Sequence, residues 1–378
     1  MSNDLSIFSS TELKEIVQDM RDMLSQNQLA FLLGAGCSVI AGLPLMRDLT
    51  DKVLNHPTIA DDTKKLLTNV QESFTGAKSA TIEDYMSEIV DLLSIAERRA
   101  QRGANKSTVT VGNLVENAEK LHLALDEIKR AIISIITEAK VNISTHQQFV
   151  RAIHGSLQAG KENREVDYFI LNYDTLIEDA LGLERVPYCD GFIGSTTGWW
   201  ESNTLTKEKK ISRIFKVHGS IDWCLLKDDS IPRRIRSGIK TESETSHVLI
   251  YPAATKYQET QRDPFAKILQ YMRETLSPSE MQEMVLVICG YSFGDSHINS
   301  EIEKAISQSE GRLTIIAFVN TDKPEGTLLN WLSNEAISDQ IKVYANKGFF
   351  HGKKEFIQTT DLLWWKFEIL TQLLGGKK

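Results

Sequence analysis

The stretch from Leu29 to Asp48, LAFLLGAGCSVIAGLPLMRD, constrains the fold more than any other part of the chain. Its five leading apolar residues are too few to cross a membrane and suit a buried parallel strand. The turn Gly34-Ala35-Gly36 follows directly, and we expect a helix to begin after it. A strand, a glycine turn and a helix N-terminus present backbone N–H groups to a phosphate, and glycine allows close approach of the backbone. The sequence therefore predicts an α/β fold with a parallel sheet.

The same stretch is an incomplete dinucleotide fingerprint. The pattern G-x-G-x-x-G requires a third glycine where this chain has Val39. A G-x-G after a strand is by itself more often an ordinary tight turn. The case for a nucleotide site therefore depends on the rest of the chain.

Composition restricts the class of protein. The chain has 378 residues, a formal net charge of −8 and four cysteines. The negative charge does not favour non-specific nucleic-acid binding. No CxxC pair is present, which indicates reduced thiols and argues against a zinc ribbon. Without an apparent signal peptide or membrane-length apolar run, we expect a soluble cytoplasmic protein.

The pattern predicts four regions. An N-terminal helix occupies about residues 1–28, and the main domain covers about 29–350. Within the main domain we expect a helical insert at about 50–143 and an irregular small module without zinc at about 185–246. An amphipathic C-terminal helix occupies about 351–378. The terminal helices and the insert carry apolar stripes that lead us to expect a homo-oligomer, although packing against the protein's own core is the default explanation of each stripe.

Polar residues follow four predicted strands directly, where ligands bind in open parallel sheets. They are Asn172 and Asp174 after DYFIL, His218 after RIFKV, Gly290 and Ser292 after MVLVIC, and Asn320 after LTIIAFV. Asn172 and Asp174 suit a ribose hydroxyl, a water or a carboxamide, but Asp174 also suits a helix cap. His218 suits proton transfer. His297 and Asn299, slightly later, suit either a ligand or the start of the next helix.

In this order the blocks resemble those of the sirtuins, which implies an α/β fold with a doubly wound (Rossmann-like), mostly parallel sheet. The residues that match the opening sirtuin signature are Gly34, Ala35, Gly36, Ser38, Gly42, Pro44 and Arg47, whereas Leu45 stands where sirtuins usually have Asp. The resemblance implies that Gly34, Ala35, Ser38 and Arg47 line a dinucleotide loop and that Asn172 and Asp174 lie by the nicotinamide ribose. It further implies that His218 is a general base and that Gly290, Ser292 and Asn320 hold the phosphates and adenosine.

Departures from the sirtuin pattern indicate which branch the chain resembles. The four-cysteine zinc module of the deacylases cannot be assembled, and Tyr251-Pro252 stands where their peptide-binding strand ends in Phe-Gly-Glu. Leu171 precedes Asn172 where Gln is usual. These features are similar to the bacterial antiviral-defence branch, including sirtuin-like subunits encoded beside HerA-type ATPases.

The resemblance implies a hydrolase that cleaves the nicotinamide–ribose bond of NAD, its substrate, without zinc, and that depletes NAD during phage infection. The implied partners are NAD and a HerA-type ATPase. Two alternatives remain open at this point. One is a non-catalytic NAD or ADP-ribose sensor or assembly subunit, and the other is an NAD-dependent protein deacylase.

Overall fold

The computed structural model describes residues 5–26, 28–74, 80–103, 107–155, 164–206, 211–227, 229–235, 245–249 and 263–376. The strands in these ranges are β1 Gln28–Leu33, β2 Val109–Val111, β3 Leu114–Glu116, β4 Val166–Ile170, β5 Tyr188–Cys189, β6 Phe192–Gly194, β7 Gly198–Trp200, β8 Ser212–Lys216, β9 Gly219–Leu226, β10 Arg233–Arg234, β11 Thr245–Leu249, β12 Met284–Cys289, β13 Leu313–Phe318, β14 Ile341–Ala345, β15 Gly348–His351 and β16 Lys354–Ile357. The helices are α1 Thr11–Gln26, α2 Met46–Leu54, α3 Asp61–Ser73, α4 Ile82–Gln101, α5 Ala118–Thr137, α6 Ser144–His154, α7 Leu176–Leu183, α8 Phe265–Thr275, α9 Ser296–Gln308, α10 Gly326–Ser333 and α11 Phe367–Leu373.

The central sheet has the order β16-β15-β14-β13-β12-β1-β4-β8-β5 within the described residues. All pairs from β5 to β14 are parallel, and β14, β15 and β16 form antiparallel pairs at one edge. The chain moves outward from β1 through β4 on one side and returns to β12 on the other. The gap between β1 and β12 is therefore the topological switch point, where ligands bind in such sheets.

Alternating residues of β1 pack into two separate hydrophobic cores. Ala30 and Leu32 face a core shared with α8, α9 and α10, whereas Phe31 and Leu33 face one shared with α1, α6, α7 and α11. Both faces of the sheet are thus covered by helices, as an apolar strand in a parallel sheet requires. The predicted fold class, a doubly wound α/β sheet, is confirmed.

Helices α2 to α5 and the β2–β3 hairpin share a third hydrophobic core. Tyr173, which follows β4, is part of this core and joins it to the sheet. These elements lie in the region predicted as a helical insert. The exact insert boundaries, about 50–143, stay a prediction.

The segment predicted as an irregular module, about 185–246, is more regular than expected. Strands β6, β7, β9, β10 and β11 form an antiparallel sheet of the order β11-β9-β10-β7-β6 in the described ranges. Strands β5 and β8 lie in the same segment but belong to the central sheet. The short, glycine- and polar-rich strands concealed this pattern in the sequence.

The prediction of a C-terminal helix over 351–378 is wrong for most of that range. The chain forms the β15–β16 hairpin up to Ile357, and α11 covers only Phe367–Leu373. Trp364 is buried and its indole N–H donates to Ala345 O at 2.6 Å, so this apolar segment packs against β14 without being helical. The predicted N-terminal helix is present as α1. No helix in the part of the chain that the structure describes is long and apolar enough to span a bilayer.

Candidate functional site

The glycine turn after β1 packs against the turn after β12. A Cβ atom on Gly34 would lie 2.4 Å from Gly290 O, and one on Gly36 would lie 2.7 Å from Gly290 Cα. Gly290 has a φ of 68°, and a Cβ there would lie 2.5 Å from Cys37 N. These glycines are therefore required for contact between the two turns at the switch point. This reason differs from the predicted one, which was close approach to a pyrophosphate.

Two further expectations for this turn are corrected. The residues after Gly34 form two short 3₁₀ turns, Ala35–Cys37 and Val39–Ala41, and the first α-helix begins only at Met46. The N–H of Gly36 donates to Gly290 O at 2.9 Å and that of Ser38 donates to Ala35 O at 3.1 Å. These two N–H groups are already bonded within the protein, so neither is an open donor of the kind found at an α-helix N-terminus.

Four of the predicted site residues form one hydrogen-bonded network. The amide of Asn172 donates to Ser38 Oγ at 2.7 Å and to Gly34 O at 3.0 Å. The Ser38 hydroxyl in turn donates to Asp174 Oδ2 at 2.7 Å. Asp174 Oδ1 accepts from the Leu176 N–H at 3.1 Å, so Asp174 also satisfies the start of α7, as the alternative reading of the sequence expected. Ser38 and Asp174 are buried, which makes each of these bonds costly to break.

A cavity of about 70 Å³ lies beside this network. Its lining from the sheet end includes Ala35, Ser38, Asn172 and Asp174. The opposite wall comes from the helical elements, and includes Met46, Leu49, Glu83 and Ile136. Polar groups of the sheet thus face a mainly apolar wall supplied by α2, α4 and α5.

His218 lies after β8 at the same edge of the sheet. Its ring Nε2 is 3.1 Å from Asp295 Oδ2, and both side chains are buried. The strand that follows His218 reaches the Asn172 network, because Ser220 Oγ donates to Tyr173 O at 3.3 Å and the Ile221 N–H donates to the same oxygen at 3.0 Å. The structure therefore brings the ends of β1, β4, β8 and β12 together.

Asp295 is held by its own neighbours. It is the N-cap of α9, and its Oδ1 accepts from the N–H groups of His297 at 3.2 Å and Ile298 at 3.5 Å. The Tyr291 hydroxyl donates to Asp295 O at 3.0 Å and also accepts from the Asp295 N–H at 3.1 Å. Burial and the nearby Asp295 carboxylate raise the pKa of Tyr291, so its hydroxyl stays protonated. The cap of α9 is therefore Asp295, and neither His297 nor Asn299.

A buried lysine lies under the network. Lys216 Nζ donates to Asp174 O and is 3.4 Å from Glu178 Oε1. Burial raises the pKa of Glu178 to about 7, although the nearby Lys216 charge acts in the opposite direction. Glu178 also lines a second cavity of about 1220 Å³ between α5, α7 and the small sheet.

Three predicted cofactor-binding residues are exposed and remain outside this network. Arg47 lies on the first turn of α2, Ser292 in the turn after β12, and Asn320 two residues beyond β13. Ser292 and Asn320 lie at the carboxyl edge of the sheet, as expected. Their predicted roles in binding stay predictions, as do those of the network residues.

Sequence reasoning missed two functional candidates, Asp295 and Lys216. Asp295 lies in the segment GYSFGDSHIN, residues 290–299, where an Asp before a helical pattern signals an N-cap, but nothing in the sequence indicated its contact with His218. Lys216 stands between the apolar residues Phe215 and Val217 at the end of β8, and a buried lysine requires a partner. The need for such a partner is the feature of the sequence that could have identified Lys216.

The described residues contain no group of three or more His, Cys, Asp or Glu side chains placed to hold a metal ion. Cys37 and Cys289 lie together at the switch point, where Cys37 Sγ donates to Cys289 O at 3.3 Å. Tyr251 and Pro252, which depart from the deacylase peptide strand in the sequence, lie outside the described residues.

The sheet order, the covered faces and the polar residues at the strand ends define a Rossmann-like α/β protein. A family model described as a SIR2-like domain matches residues 166–339, slightly less than half of the chain. This match supports a sirtuin-like fold for that part. It includes the segments that end in Asn172, His218 and Gly290, and it excludes the Gly34 turn.

Comparison with solved structures finds three complexes of mutants of a Sir2 homologue with ADP ribose. Each alignment covers 94% of both chains with a TM-score of 0.40, and the identities are 9%, 9% and 11%. Alignments at this TM-score do not establish residue-by-residue equivalence. A comparison with curated proteins finds no match.

Proposed function

We propose that the protein hydrolyses NAD at the nicotinamide–ribose bond and releases nicotinamide and ADP-ribose. The observation that carries this proposal is the buried Ser38–Asn172–Asp174 network beside a cavity, with His218 at the same sheet edge. The SIR2-like match over residues 166–339 gives independent support for NAD as the ligand.

The reaction places specific demands on the site. The bond between C1′ and the pyridinium nitrogen breaks with its electron pair going to nicotinamide, which leaves as a neutral molecule. Because the leaving group is already cationic, no general acid is needed, and the remaining sugar resembles the oxocarbenium ion of glycoside hydrolysis. Water then forms a bond to C1′ and loses a proton. The protein must hold the ring and ribose, stabilise positive charge and accept that proton.

The residues present match these demands. Asn172 orients the water or the ribose hydroxyls, and the Asp174 side chain lines the same cavity near the developing cation. His218 accepts the proton from water, a contribution of roughly 10²- to 10⁴-fold to the rate. Ser292 and Asn320, which are exposed at the same edge, bind the outer part of the dinucleotide.

The cavity is too small for the ring in this conformation. At about 70 Å³ it has roughly half the volume of an engineered cavity of about 150 Å³ that admits benzene. Full burial of the nicotinamide ring therefore requires the wall formed by Met46, Leu49 and Ile136 to move.

Replacement of the two central residues tests the function. We expect His218→Ala and Asn172→Ala each to lower turnover of NAD at least about 100-fold, because proton transfer and orientation are lost. Nicotinamide and ADP-ribose are followed by chromatography, and circular dichroism with thermal unfolding checks that the variants fold. His351→Ala, at a half-buried imidazole bonded to Asp339 O, is the matched control and should keep wild-type turnover.

Full activity of either site variant would refute the assignment. Binding of NAD without turnover, even with a candidate partner present, would favour a sensor or assembly subunit. Release of nicotinamide only with an acylated peptide would favour a deacylase.

The biological setting is proposed from the sequence resemblance. The hydrolase acts in the cytoplasm as an NAD-depleting effector of bacterial antiviral defence. It works as a homo-oligomer and pairs with a HerA-type ATPase, which supplies the trigger. Comparison of turnover with and without such an ATPase tests this part separately.

A further inference from the structure

The contact between His218 and Asp295 joins two distant strand ends. In the sheet, β8 and β12 are separated by β4 and β1, which makes three strand spacings or roughly 14 Å. The two turns nevertheless bring Nε2 and Oδ2 to 3.1 Å, with both side chains buried. The two side chains meet only because the turns after β8 and β12 both direct them toward each other.

The turn that carries Asp295 is strained. Phe293 has a φ of 57°, which is uncommon for a bulky residue, and Gly290 has a φ of 68°. The Phe293 ring lies 5.0 Å from the Tyr291 ring and 6.0 Å from the Trp331 ring, and Asn299 Nδ2 donates to Phe293 O at 2.7 Å. Backbone strain of this kind persists where surrounding contacts impose it, which is common at functional sites.

The two oxygens of Asp295 have different partners. Oδ1 accepts from the first N–H groups of α9, and Oδ2 faces the imidazole of His218. An ionised carboxylate only accepts hydrogen bonds, so the ring must donate through Nε2–H. In the neutral imidazole the lone pair then lies on Nδ1.

We propose that Asp295 is a positioning residue that holds His218 in the Nε2–H tautomer, so that Nδ1 accepts the proton during the reaction. The inference rests on the proposed function, because the proton comes from the water that attacks C1′.

Two substitutions separate positioning from helix capping. Asn is as good an N-cap as Asp. In Asp295→Asn the amide oxygen still accepts hydrogen bonds from the first N–H groups of α9, and the NH₂ group then points at His218. The ring must accept that bond through Nε2, which forces the Nδ1–H tautomer. Asp295→Ser also keeps a cap but removes the contact with the ring.

Nitrogen-15 NMR of the imidazole nitrogens distinguishes the two tautomers, and His218→Ala identifies the resonances. We expect Nε2–H in the wild type and Nδ1–H in Asp295→Asn, with turnover of NAD lowered about 100-fold or more and KM changed little. We expect Asp295→Ser to lose turnover similarly. Asp84→Asn alters another helix-capping carboxylate, which bonds to the Thr81 N–H at 2.7 Å, and should change neither readout.

An unchanged tautomer in Asp295→Asn, or wild-type turnover in both Asp295 variants, would overturn the proposal. If the wild type does not consume NAD at all, the proposed function fails. The tautomers of His218 in the wild type and in Asp295→Asn still show whether Asp295 positions the ring. Failure of the proposed function and failure of the positioning role are therefore distinguishable.

Discussion

At the scale of single residues, the candidate site depends on buried polar groups that satisfy one another. Lys216 illustrates this, because its ammonium group bonds to Asp174 O and lies 3.4 Å from Glu178. A buried charge without such partners would cost several kcal/mol. The lysine therefore links the network around Asp174 to α7.

Glu178 should make the stability of the protein depend on pH. Its pKa is raised by burial to about 7 from an ordinary value of 4.5, so the folded state binds the proton more tightly than the unfolded chain does. The contribution of Glu178 to the free energy of unfolding is fully present below about pH 4.5 and is lost as the pH rises to about 7. Over this window we expect the free energy of unfolding to fall by about 3 kcal/mol through this group.

Urea unfolding of Glu178→Gln at several pH values measures this contribution. The difference in unfolding free energy between wild type and variant should change between pH 4.5 and 7 and stay constant above pH 7. Glu119→Gln, at an exposed position in α5, should follow the wild type. A pH-independent difference for Glu178→Gln would contradict the raised pKa.

The residues themselves explain how much of the site was predictable. Asn172 and His218 each follow an apolar strand, and the carboxyl ends of parallel strands share one edge, so local sequence placed them correctly. The contact between His218 and Asp295 spans 77 residues and depends on the path of two turns. Local patterns carry no information on such a contact.

At the scale of elements, the turns after β1 and β12 form one unit. Their glycines meet with backbone atoms in contact, and Cys37 and Cys289 lie beside them. The sequence correctly indicated that glycine was needed after β1. The sequence could not indicate that these glycines contact a second turn of the protein, because Gly290 lies far away in the chain.

Gly34→Ala tests this account of the turns. The added Cβ would lie 2.4 Å from Gly290 O, so one of the turns must shift, and we expect the protein to lose about 1–3 kcal/mol of stability. Gly182→Ala is the matched control, since its Cβ would have no neighbour within 4 Å and it lies in α7. That variant should gain up to about 1 kcal/mol.

Urea denaturation midpoints compare the two variants, provided that the slope of the transition is unchanged. Equal stability of Gly34→Ala and the wild type would show that the two turns can accommodate an added methyl group. The tight contact would then be no reason for glycine at this position.

The errors in predicted elements have a common physical cause. The apolar residues around Trp364 have a helical period, but their burial comes from packing against β14. Strands β6, β7 and β10 of the small sheet have only two or three residues, which is too short for a clear alternation. In both cases tertiary contacts decide the local structure, which periodicity alone does not reveal.

At the scale of the whole molecule, a doubly wound sheet carries two additions that face its carboxyl edge. The helical elements supply the apolar wall of the 70 Å³ cavity, and the small antiparallel sheet follows His218 directly. The site combines segments from both halves of the chain. It therefore exists only in the folded protein.

The proposed function requires that water cleaves the nicotinamide–ribose bond at this edge of the sheet. The most direct test is incubation with NAD in water labelled with heavy oxygen, followed by mass spectrometry of the products. We predict one labelled oxygen in ADP-ribose, unlabelled nicotinamide, and loss of both products in His218→Ala. Unlabelled ADP-ribose products, or equal turnover by His218→Ala, would contradict the account.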